Sequence, residues 1–331
     1  MLEYGSKVLI LGLYVIDEII KEKKSNNHPI EVKHGFLSLG GPPTFMGFIA
    51  NILFHLFSEI NKPTLYSYVC PEVKQLLDST NDDLNLSGHF IKNTFCPKFR
   101  LDYSQGDQER EITLFNPQSS FDLELFPWRL NESTIVIVNS VYQEFNDPNI
   151  FSFLHTSGFY VVLDPQGFFR NISSDGKVIY SNWFDREILS QIDCLKLSEN
   201  EAKLLNFGES LPEIIENLLL LNISYVIITQ GERGALLGCK GFSESQHTLY
   251  SIPAYTVKSA IDETGAGDVF LYTFIIFLQL LADELEAIAF ATSVASLLVE
   301  NRFDKTEFSI DNITIRQESI RSKIKMMGSK S

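Results

Sequence analysis

Asp-Glu-Thr-Gly-Ala-Gly-Asp, residues 262–268, stands directly before an apolar run at 269–282 that is typical of a buried helix. Gly265, Ala266 and Gly267 would therefore present nearly bare backbone N–H groups at the start of that helix. A helix N-terminus leaves its first N–H groups without intrahelical partners and carries partial positive charge, so it attracts phosphate. The segment predicts an anion-binding site with the carboxylate of Asp268 in the first turn.

The chemistry that such a site allows is phosphoryl transfer. Backbone donors stabilise the charge that develops on the moving phosphoryl group, and a neighbouring carboxylate can take the proton from an attacking hydroxyl. Gly-Ala-Gly alone is equally compatible with an ordinary strand-to-helix turn, because short glycine motifs are weak evidence. The flanking Asp262, Thr264 and Asp268 make the phosphate interpretation more specific.

The composition is that of an acidic chain that can bury a large core. The 331 residues are 44% hydrophobic and include 26 phenylalanines, which fits one large domain or two small ones. The net charge of −15 disfavours nucleic acid and anionic membranes as partners. The four cysteines lack CxxC spacing and no leader-like segment is evident, so we expect a cytoplasmic location. The run at 269–282 is too short to cross a bilayer, which takes about 20 residues.

Apolar runs alternate with helical patterns along the chain, which predicts a parallel sheet covered by helices on both faces. The runs expected to form strands are 8–13, 64–69, 135–138, 160–163 and 225–229. The segments expected to form helices are 44–57, 199–205, 212–221 and 269–282. The polar and basic stretch 316–331 is expected to be a surface helix that frays at its end.

Two segments interrupt this alternation. Residues 19–39 are charged and irregular before they regain strand character. Residues 99–103 and 110–115 alternate apolar and polar side chains around a Gln-Gly-Asp turn at 105–107, which predicts a β-hairpin. Considered alone, both segments could be surface hairpins without a function.

Residues 262–268 resemble the signature Asp-Thr-x-Gly-Ala-Gly-Asp of the ribokinase-like (PfkB) family of carbohydrate and nucleoside kinases, with Glu263 in place of the usual threonine. The resemblance covers about residues 8–303. It implies an α/β fold, a ribokinase-like three-layer sandwich with a mostly parallel central sheet and a small β-sheet lid. The chain would be a single kinase domain over 1–331, with the lid formed at about 18–39 and 97–117. Homodimerisation through such a lid is common in the family and is a possible interaction here.

The resemblance also implies which residues bind the acceptor substrate. Asp17 would accept hydrogen bonds from substrate hydroxyls, for which a carboxylate is suited as a pure acceptor. Gly40 and Gly41 would allow the backbone to approach the substrate closely. Phe45 stands where the family usually has asparagine, which would replace a hydrogen-bonding wall by an apolar or stacking one. The alternative is that Phe45 is simply a core residue.

On the nucleotide side, Ser198 and Glu201 resemble the Asn-x-x-Glu motif of the family, with serine in place of asparagine. Glu201 would order the water shell of a nucleotide-bound Mg²⁺, a cation that keeps several of its waters. Ser-x-x-Glu is also a helix capping box, and the sequence does not separate the two interpretations. Thr229, Gly231 and Gly234 resemble the strand and turn that border the nucleotide in the family.

Two further contributions to the phosphate site follow from the resemblance. Thr264, together with Gly265 and Gly267, would contact the nucleotide phosphates. Arg170 follows an Asp-Pro pair at 164–165, as in many members of the family, and is a candidate for a phosphate or transition-state contact. A surface ion pair is the alternative for this arginine.

The predicted function is an ATP- and Mg²⁺-dependent kinase that phosphorylates a hydroxyl of a small polyol, a sugar or an inositol, with a monovalent cation as a possible further cofactor. The chain lacks a Gly-x-x-x-x-Gly-Lys-Ser/Thr motif, a complete dinucleotide fingerprint and a His-Glu-x-x-His motif. P-loop kinases, dehydrogenases and zinc hydrolases are therefore disfavoured. The motifs around Phe45 and Arg170 resemble the inositol-kinase-like branch more than ribokinase proper.

Two alternatives remain at the level of sequence. A nucleoside kinase is one, because Phe45 or Tyr14 could stack on a base. A catalytically degenerate regulator that binds a nucleotide or a sugar is the other, and the substitutions at Phe45 and Ser198 favour it. The intact segment 262–268 argues against the loss of catalysis.

Overall fold

The computed structural model describes residues 6–23, 32–79, 88–92, 95–102, 111–117, 121, 134–241 and 246–330. We refer to them as the described residues. The turn predicted at 105–107 lies outside them, as does residue 331 of the C-terminal stretch.

The strands and helices follow one another as the alternating pattern requires. In chain order the strands are β1 (Val8–Leu11), β2 (Val15–Lys23), β3 (Val32–Gly40), β4 (Thr64–Val69), β5 (Gly88–Lys92), β6 (Lys98–Asp102), β7 (Glu111–Phe115), β8 (Ile135–Asn139), β9 (Tyr160–Asp164), β10 (Arg170–Ile172), β11 (Val178–Tyr180), β12 (Cys194–Ser198), β13 (Tyr225–Thr229), β14 (Ala235–Lys240), β15 (His247–Ile252) and β16 (Lys325–Lys330). The helices are α1 (Pro42–Leu56), α2 (Pro71–Ser79), α3 (Pro148–Thr156), α4 (Arg186–Leu189), α5 (Glu199–Leu204), α6 (Leu211–Leu219), α7 (Ala266–Leu281), α8 (Glu284–Asn301) and α9 (Ile310–Arg321).

Most of the described strands form a ten-stranded sheet in the order β16-β15-β14-β13-β12-β9-β8-β1-β4-β5. Neighbouring strands from β5 to β13 run parallel, whereas β14, β15 and β16 pair antiparallel along one edge. The prediction of a mostly parallel α/β sheet is confirmed. The strand expected at 8–13 ends at Leu11, because the chain then leaves this sheet and enters β2 of a separate one.

Alternate residues of the central strand β1 face two hydrophobic cores. Val8 and Ile10 pack on one side of the sheet with helices α1, α7, α8 and α9, while Leu9 and Leu11 pack on the other with α3 to α6. Strands buried on both faces need apolar side chains throughout, which is why the sequence shows continuous apolar runs. The result is the three-layer sandwich that was expected.

A separate four-stranded sheet, in the order β3-β2-β6-β7, is built from the segments that interrupt the alternation. Strands β6 and β7 pair antiparallel, as predicted for a hairpin, and β2 joins β6 in parallel and β3 in antiparallel orientation. The prediction of irregular structure within 19–39 is wrong where β2 reaches Lys23 and β3 begins at Val32. Pairing of these two strands supplies backbone partners that their charged composition does not indicate.

The C-terminal stretch differs from its prediction. Helix α9 ends at Arg321, and Lys325–Lys330 then forms the edge strand β16 against β15 rather than a fraying helix. The partner strand lies far away in the sequence, so local composition gives no sign of this pairing. Among the helices of the described chain, none is both long and apolar enough to span a membrane.

Candidate active site

Helix α7 begins at Ala266, and its first turn carries the features predicted for an anion site. Gly265 is its N-cap residue and has a left-handed backbone with φ 82°. The N–H of Ala266 donates to the carbonyl of Glu263 at 3.1 Å and is therefore engaged within the loop. No described residue accepts a hydrogen bond from the N–H groups of Gly265, Gly267 or Asp268, so these donors are available to an anion. We call these three N–H groups the cradle.

The left-handed glycine at the start of α7 packs against a phenylalanine. A Cβ on Gly265 would lie 2.1 Å from the Phe45 ring, which itself stacks on Phe303 with the ring centroids 5.9 Å apart. Phe45 is only 2% exposed, yet it borders the cavity of the site. It is therefore a core residue and also part of an apolar wall, where the family usually has asparagine.

We expect Gly265→Ala to lower both the stability of the protein and its turnover. A left-handed non-glycine residue costs about 1–2 kcal/mol, and overpacking against Phe45 costs about 1–3 kcal/mol more. Gly158→Ala is the matched control, because Gly158 has φ 79° but nothing within 4 Å of the added Cβ. Denaturant unfolding and kcat of both variants check this. Equal destabilisation of the two variants, with kcat unchanged, would contradict the packing at Gly265.

The carboxyl ends of neighbouring parallel strands bring polar residues to one side of the site, which we call its floor. Asn139 at the end of β8 lies opposite Asp164 at the end of β9. Open α/β sheets form their binding sites at this edge. Asn139 Nδ2 donates to Oδ1 of Asp268 at 2.7 Å, so an amide that sequence reasoning did not single out fixes the orientation of the predicted base.

A buried ion pair lies directly beneath the cradle. Lys196 Nζ is 2.8 Å from Oδ2 of Asp164, and the two side chains are 7% and 3% exposed. A Cβ on Gly267 would lie 2.7 Å from that ammonium nitrogen. Burial by itself would lower the pKa of Lys196, but the charges of Asp164, Glu201 and Asp268 more than offset it and raise the pKa. Lys196 therefore remains a fixed positive charge next to the cradle.

Sequence reasoning missed Lys196, although the sequence carries a signal for it. Strand β12 reads Cys-Leu-Lys-Leu-Ser, so a single lysine interrupts a run that is otherwise apolar and buried. Lysine is almost never fully buried without a partner. A lysine in a central parallel strand therefore indicates a buried carboxylate nearby, which here is Asp164.

Asp268, the predicted general base, has its pKa raised to about 7. Burial is the largest cause, since the half-buried carboxyl lies at the cavity wall among protein atoms, and the charge of Asp164 adds to it. Lys196, the hydrogen bond from Asn139 and the charge of Arg170 act in the opposite direction and lower the pKa. A carboxyl that titrates near neutral pH can both take up and release a proton during turnover.

A cavity of about 440 Å³ lies above this floor and is bordered by residues of both sheets. It brings together most of the residues that the sequence analysis singled out. Those that line it are Asp17, Gly41, Phe45, Arg170, Ser198, Thr229, Gly231, Gly234, Thr264, Gly265, Ala266, Gly267 and Asp268. Gly40 and Glu201 do not line it.

Gly40 and Gly41 have different structural roles. A Cβ on Gly40 would lie 2.0 Å from Oδ2 of the buried Asp17, so this glycine makes room for the carboxylate and not for a substrate. Gly41 borders the cavity, has φ 83° and is the N-cap residue of α1. A Cβ there would meet the carbonyl oxygen of Leu13 at 2.2 Å. Both positions thus exclude a side chain, for different reasons.

Arg170 is a buried residue of the cavity wall, so the surface ion pair considered for it is wrong. It is 9% exposed, donates from Nη1 to the carbonyl of Val141 at 2.9 Å, and lies over the ring of Phe99 at 5.3 Å. Its Nε is buried without a hydrogen-bond partner among the described residues. A buried guanidinium with unused donor capacity is suited to bind an oxyanion or a substrate oxygen.

Ser198 and Glu201 form the capping box of α5. The Ser198 side chain accepts a hydrogen bond from the N–H of Glu201 at 3.3 Å, and the Ser198 N–H donates to Oε2 of Glu201 at 2.7 Å. Glu201 is 5% exposed, so a role of its carboxylate at a nucleotide-bound cation would require an intervening water. Ser198 borders the cavity together with Thr229, whose hydroxyl donates to the carbonyl of Leu197 at 3.3 Å.

Residues 181–307 match the family model described as pfkB family carbohydrate kinase. Among curated relatives, a ribokinase of Staphylococcus aureus (strain COL) is 37% identical over 120 residues, which is 34% of this chain and 37% of the relative. A probable fructokinase-5 of Arabidopsis thaliana is 31% identical over 120 residues, 34% of this chain and 35% of the relative. These matches thus span only about a third of each curated relative.

The whole fold is similar to solved structures at low sequence identity. A ribokinase from Thermotoga maritima superposes with a TM-score of 0.73 at 18% identity, over 95% of this chain and 99% of the other. An Arabidopsis thaliana ribokinase in complex with ribose and ATP superposes with a TM-score of 0.67 at 16% identity, over 95% and 99%. The sandwich, the separate small sheet and the cradle at α7 define a protein of the ribokinase fold class. The segment that matches the pfkB family carbohydrate kinase model, residues 181–307, includes the cradle.

Proposed function

We propose that this chain is an ATP-dependent kinase that transfers a phosphoryl group to a hydroxyl of a small polyol, a sugar or an inositol. The observation that carries the proposal is the floor of the cavity, where unpaired N–H groups, a fixed ammonium and a carboxyl that titrates near pH 7 meet. Phosphoryl transfer needs those three parts, namely an anion site, positive charge and a proton acceptor. The family match over residues 181–307 and the relatives named ribokinase and fructokinase support the same reaction class.

In the proposed reaction, Asp268 takes the proton from the acceptor hydroxyl as that oxygen attacks the terminal phosphorus of ATP. The bond from this phosphorus to the bridging oxygen breaks, and ADP leaves with the bonding electrons. Its hydrogen bond from Asn139 fixes one carboxylate oxygen and leaves the other for the substrate. The cradle and Lys196 stabilise the negative charge on the phosphoryl oxygens, and they do so without reorganisation because both are held by the fold. Arg170 lines the cavity beside Phe99 of the four-stranded sheet and would bind substrate or phosphate oxygens.

A magnesium ion bound with ATP would neutralise part of the charge of the phosphates. The described residues offer no group of three or more His, Cys, Asp or Glu side chains that could hold a metal by themselves. We therefore propose that the ion binds chiefly through the nucleotide and water, with Glu201 acting through the water shell. The monovalent cation stays a prediction, as does the cytoplasmic location.

The four-stranded sheet β3-β2-β6-β7, the small sheet, would act as a lid over the part of the cavity that binds the acceptor substrate. We call this part the acceptor end. Its residues Val15, Asp17, Phe99 and Leu101 line that end, so movement of the sheet would open or close access to the acceptor. Closure would exclude water and prevent wasteful hydrolysis of ATP. Homodimerisation through the outer face of this sheet is part of the same proposal.

A nucleoside is the second candidate acceptor. The wall of the acceptor end is largely apolar, with Val15, Phe99, Leu101 and Val141, and this favours a substrate that has an apolar face beside its hydroxyls. Tyr14 does not contribute to such a site, because it is fully buried in the core and does not line the cavity. A regulator without catalysis is the third candidate, but the complete floor of the site argues against it.

The test is ADP release from Mg-ATP across a panel of sugars, inositols and nucleosides, with mass spectrometry of the product. We expect release that depends on one class of polyol and a product with one added phosphoryl group. Activity with nucleosides alone would replace the polyol assignment by the second candidate. Stabilisation by Mg-ATP in thermal unfolding without any transfer would support the regulator and overturn the kinase proposal.

A further inference from the structure

Arg302 contacts the loop that precedes the cradle. It follows the last residue of α8, and its Nη1 donates to the carbonyl of Thr264 at 2.5 Å. Its Nη2 is 3.4 Å from Oδ2 of Asp262, whose other oxygen accepts the N–H of Thr264 at 2.8 Å. Both polar groups of the Thr264 backbone are thus held by one ion pair.

The same guanidinium also supports the aromatic residues behind the cradle. It lies over the ring of Phe45 at 5.2 Å and over the ring of Phe303 at 4.6 Å. Phe45 is the residue against which Gly265 packs. Arg302 therefore contacts the loop before the cradle and the ring that supports it, and it has the planar shape that both contacts need.

The bond to Thr264 has a direct consequence for the cradle. The carbonyl of Thr264 and the N–H of Gly265 belong to one peptide group, and the described chain has no cis peptide bond. In a trans peptide these two groups point in opposite directions, so anchoring the carbonyl aims the N–H away from Arg302. The positively charged guanidinium that donates to this carbonyl oxygen also polarises the peptide group and strengthens its N–H as a donor.

The charge of Arg302 matters as well. Asp262 accepts a hydrogen bond from the N–H of Thr264, the residue directly before the cradle, and an unpaired carboxylate there would repel the anion that the cradle binds. Arg302 neutralises it at 3.4 Å. We propose that Arg302 is a positioning residue of the phosphoryl-transfer site: it orients the Gly265 N–H and cancels the charge of Asp262. This inference rests on the kinase activity proposed above.

The test compares Arg302→Met, which keeps the stem and removes the head group, with Arg302→Lys, which keeps the charge without the planar fork. Arg321→Met is the control, because Arg321 makes a similar ion pair with Glu286 away from the cavity. For Arg302→Met we expect kcat to fall by about 10–100-fold, as for a misplaced catalytic group, with the acceptor KM nearly unchanged. Arg302→Lys should lie between this variant and the wild type, and guanidinium ions should restore part of the activity of Arg302→Met.

Amide hydrogen exchange gives a readout that does not depend on activity. The N–H groups of Thr264 and Ala266, which are bonded within the loop, should exchange at least about tenfold faster in Arg302→Met than in the wild type or in the Arg321→Met control. If the wild type transfers no phosphoryl group, the proposed function fails, and this exchange still decides the positioning role. Unchanged exchange and unchanged kcat in Arg302→Met would overturn the inference. If that variant does not fold, wild-type values of both quantities in Arg302→Lys would overturn it.

Discussion

Asp268→Asn should fold normally and lose most of its turnover. The amide cannot accept the proton of the attacking hydroxyl, and a general base contributes about 10²–10⁴-fold to such a reaction. The KM for ATP should change little, because the backbone donors of the cradle remain. Steady-state kcat and KM measure this. Asp311→Asn is the matched control, since Asp311 occupies the first turn of α9 and is exposed to solvent. A kcat near that of the wild type in Asp268→Asn would remove Asp268 from the role of base.

The raised pKa of Asp268 predicts the pH dependence of catalysis. Because only the ionised carboxylate accepts a proton, kcat/KM of the wild type should fall as the pH decreases through about 7. Asn139→Ala removes a hydrogen bond that lowers this pKa. In this variant, the fall of kcat/KM on the acidic side of the pH profile should therefore occur at higher pH. If this fall of kcat/KM occurred at the same pH in both proteins, or near the ordinary pKa of an aspartate in the wild type, another group would control the pH profile.

The same pKa predicts how stability depends on pH. Since the pKa in the folded state lies above its ordinary value, the neutral acid is favoured in the fold, and this contribution is lost as the pH rises through about 7. Asp268→Asn has no such charge to bury. Its free energy of unfolding should therefore exceed that of the wild type at pH 8, and the difference should shrink towards pH 4. A difference that does not vary with pH would contradict the burial of this carboxyl.

Lys196→Met should have the largest effect on stability. Removing one partner of a buried ion pair leaves an uncompensated charge, which typically costs about 3–5 kcal/mol. Here Asp164 would be left 3% exposed without its ammonium partner. Activity should fall as well, because the positive charge next to the cradle is lost and the pKa of Asp268 rises further. Denaturant unfolding and the pH profile of kcat/KM measure the two effects.

Two comparisons separate this effect from the general cost of losing a lysine. Lys203→Met removes an exposed ion pair with Glu199, and surface pairs of this kind contribute about 0–1 kcal/mol. The double variant Lys196→Met with Asp164→Asn should recover part of the lost stability, because it removes the stranded charge. If Lys196→Met were no more destabilising than Lys203→Met, the pair would not be the buried interaction that we describe.

The sequence predicted the central sheet well because most of its strands are buried on both faces. The largely apolar and aromatic runs 64–69 and 225–229 give strands with those bounds. The edge strand β16 was missed, since it is polar and its pairing with β15 depends on a partner that lies about 75 residues away in the sequence. Edge strands such as β16 depend on long-range pairing, which local composition does not reveal.

The residues of the candidate site also fall into those that the sequence predicted and those that it did not. The loop 262–268 was found because its glycines, its carboxylate and the following helix are contiguous in the sequence. Lys196, Asn139 and Arg302 were not found, because each acts through a contact between distant elements. The engaged N–H of Ala266 is a detail of turn geometry that the motif does not specify. Thus the motif predicts where the anion binds, and the tertiary contacts determine which donors face it.

The most direct test of the central claim is a crystal structure with Mg²⁺ and a non-hydrolysable ATP analogue. The claim is that the terminal phosphate binds at the start of α7. We expect an oxygen of that phosphate within hydrogen-bond distance of the N–H groups of Gly265 and Gly267, with Asp268 facing the acceptor end of the cavity. A nucleotide bound with its terminal phosphate elsewhere, and the cradle occupied only by water, would contradict the account.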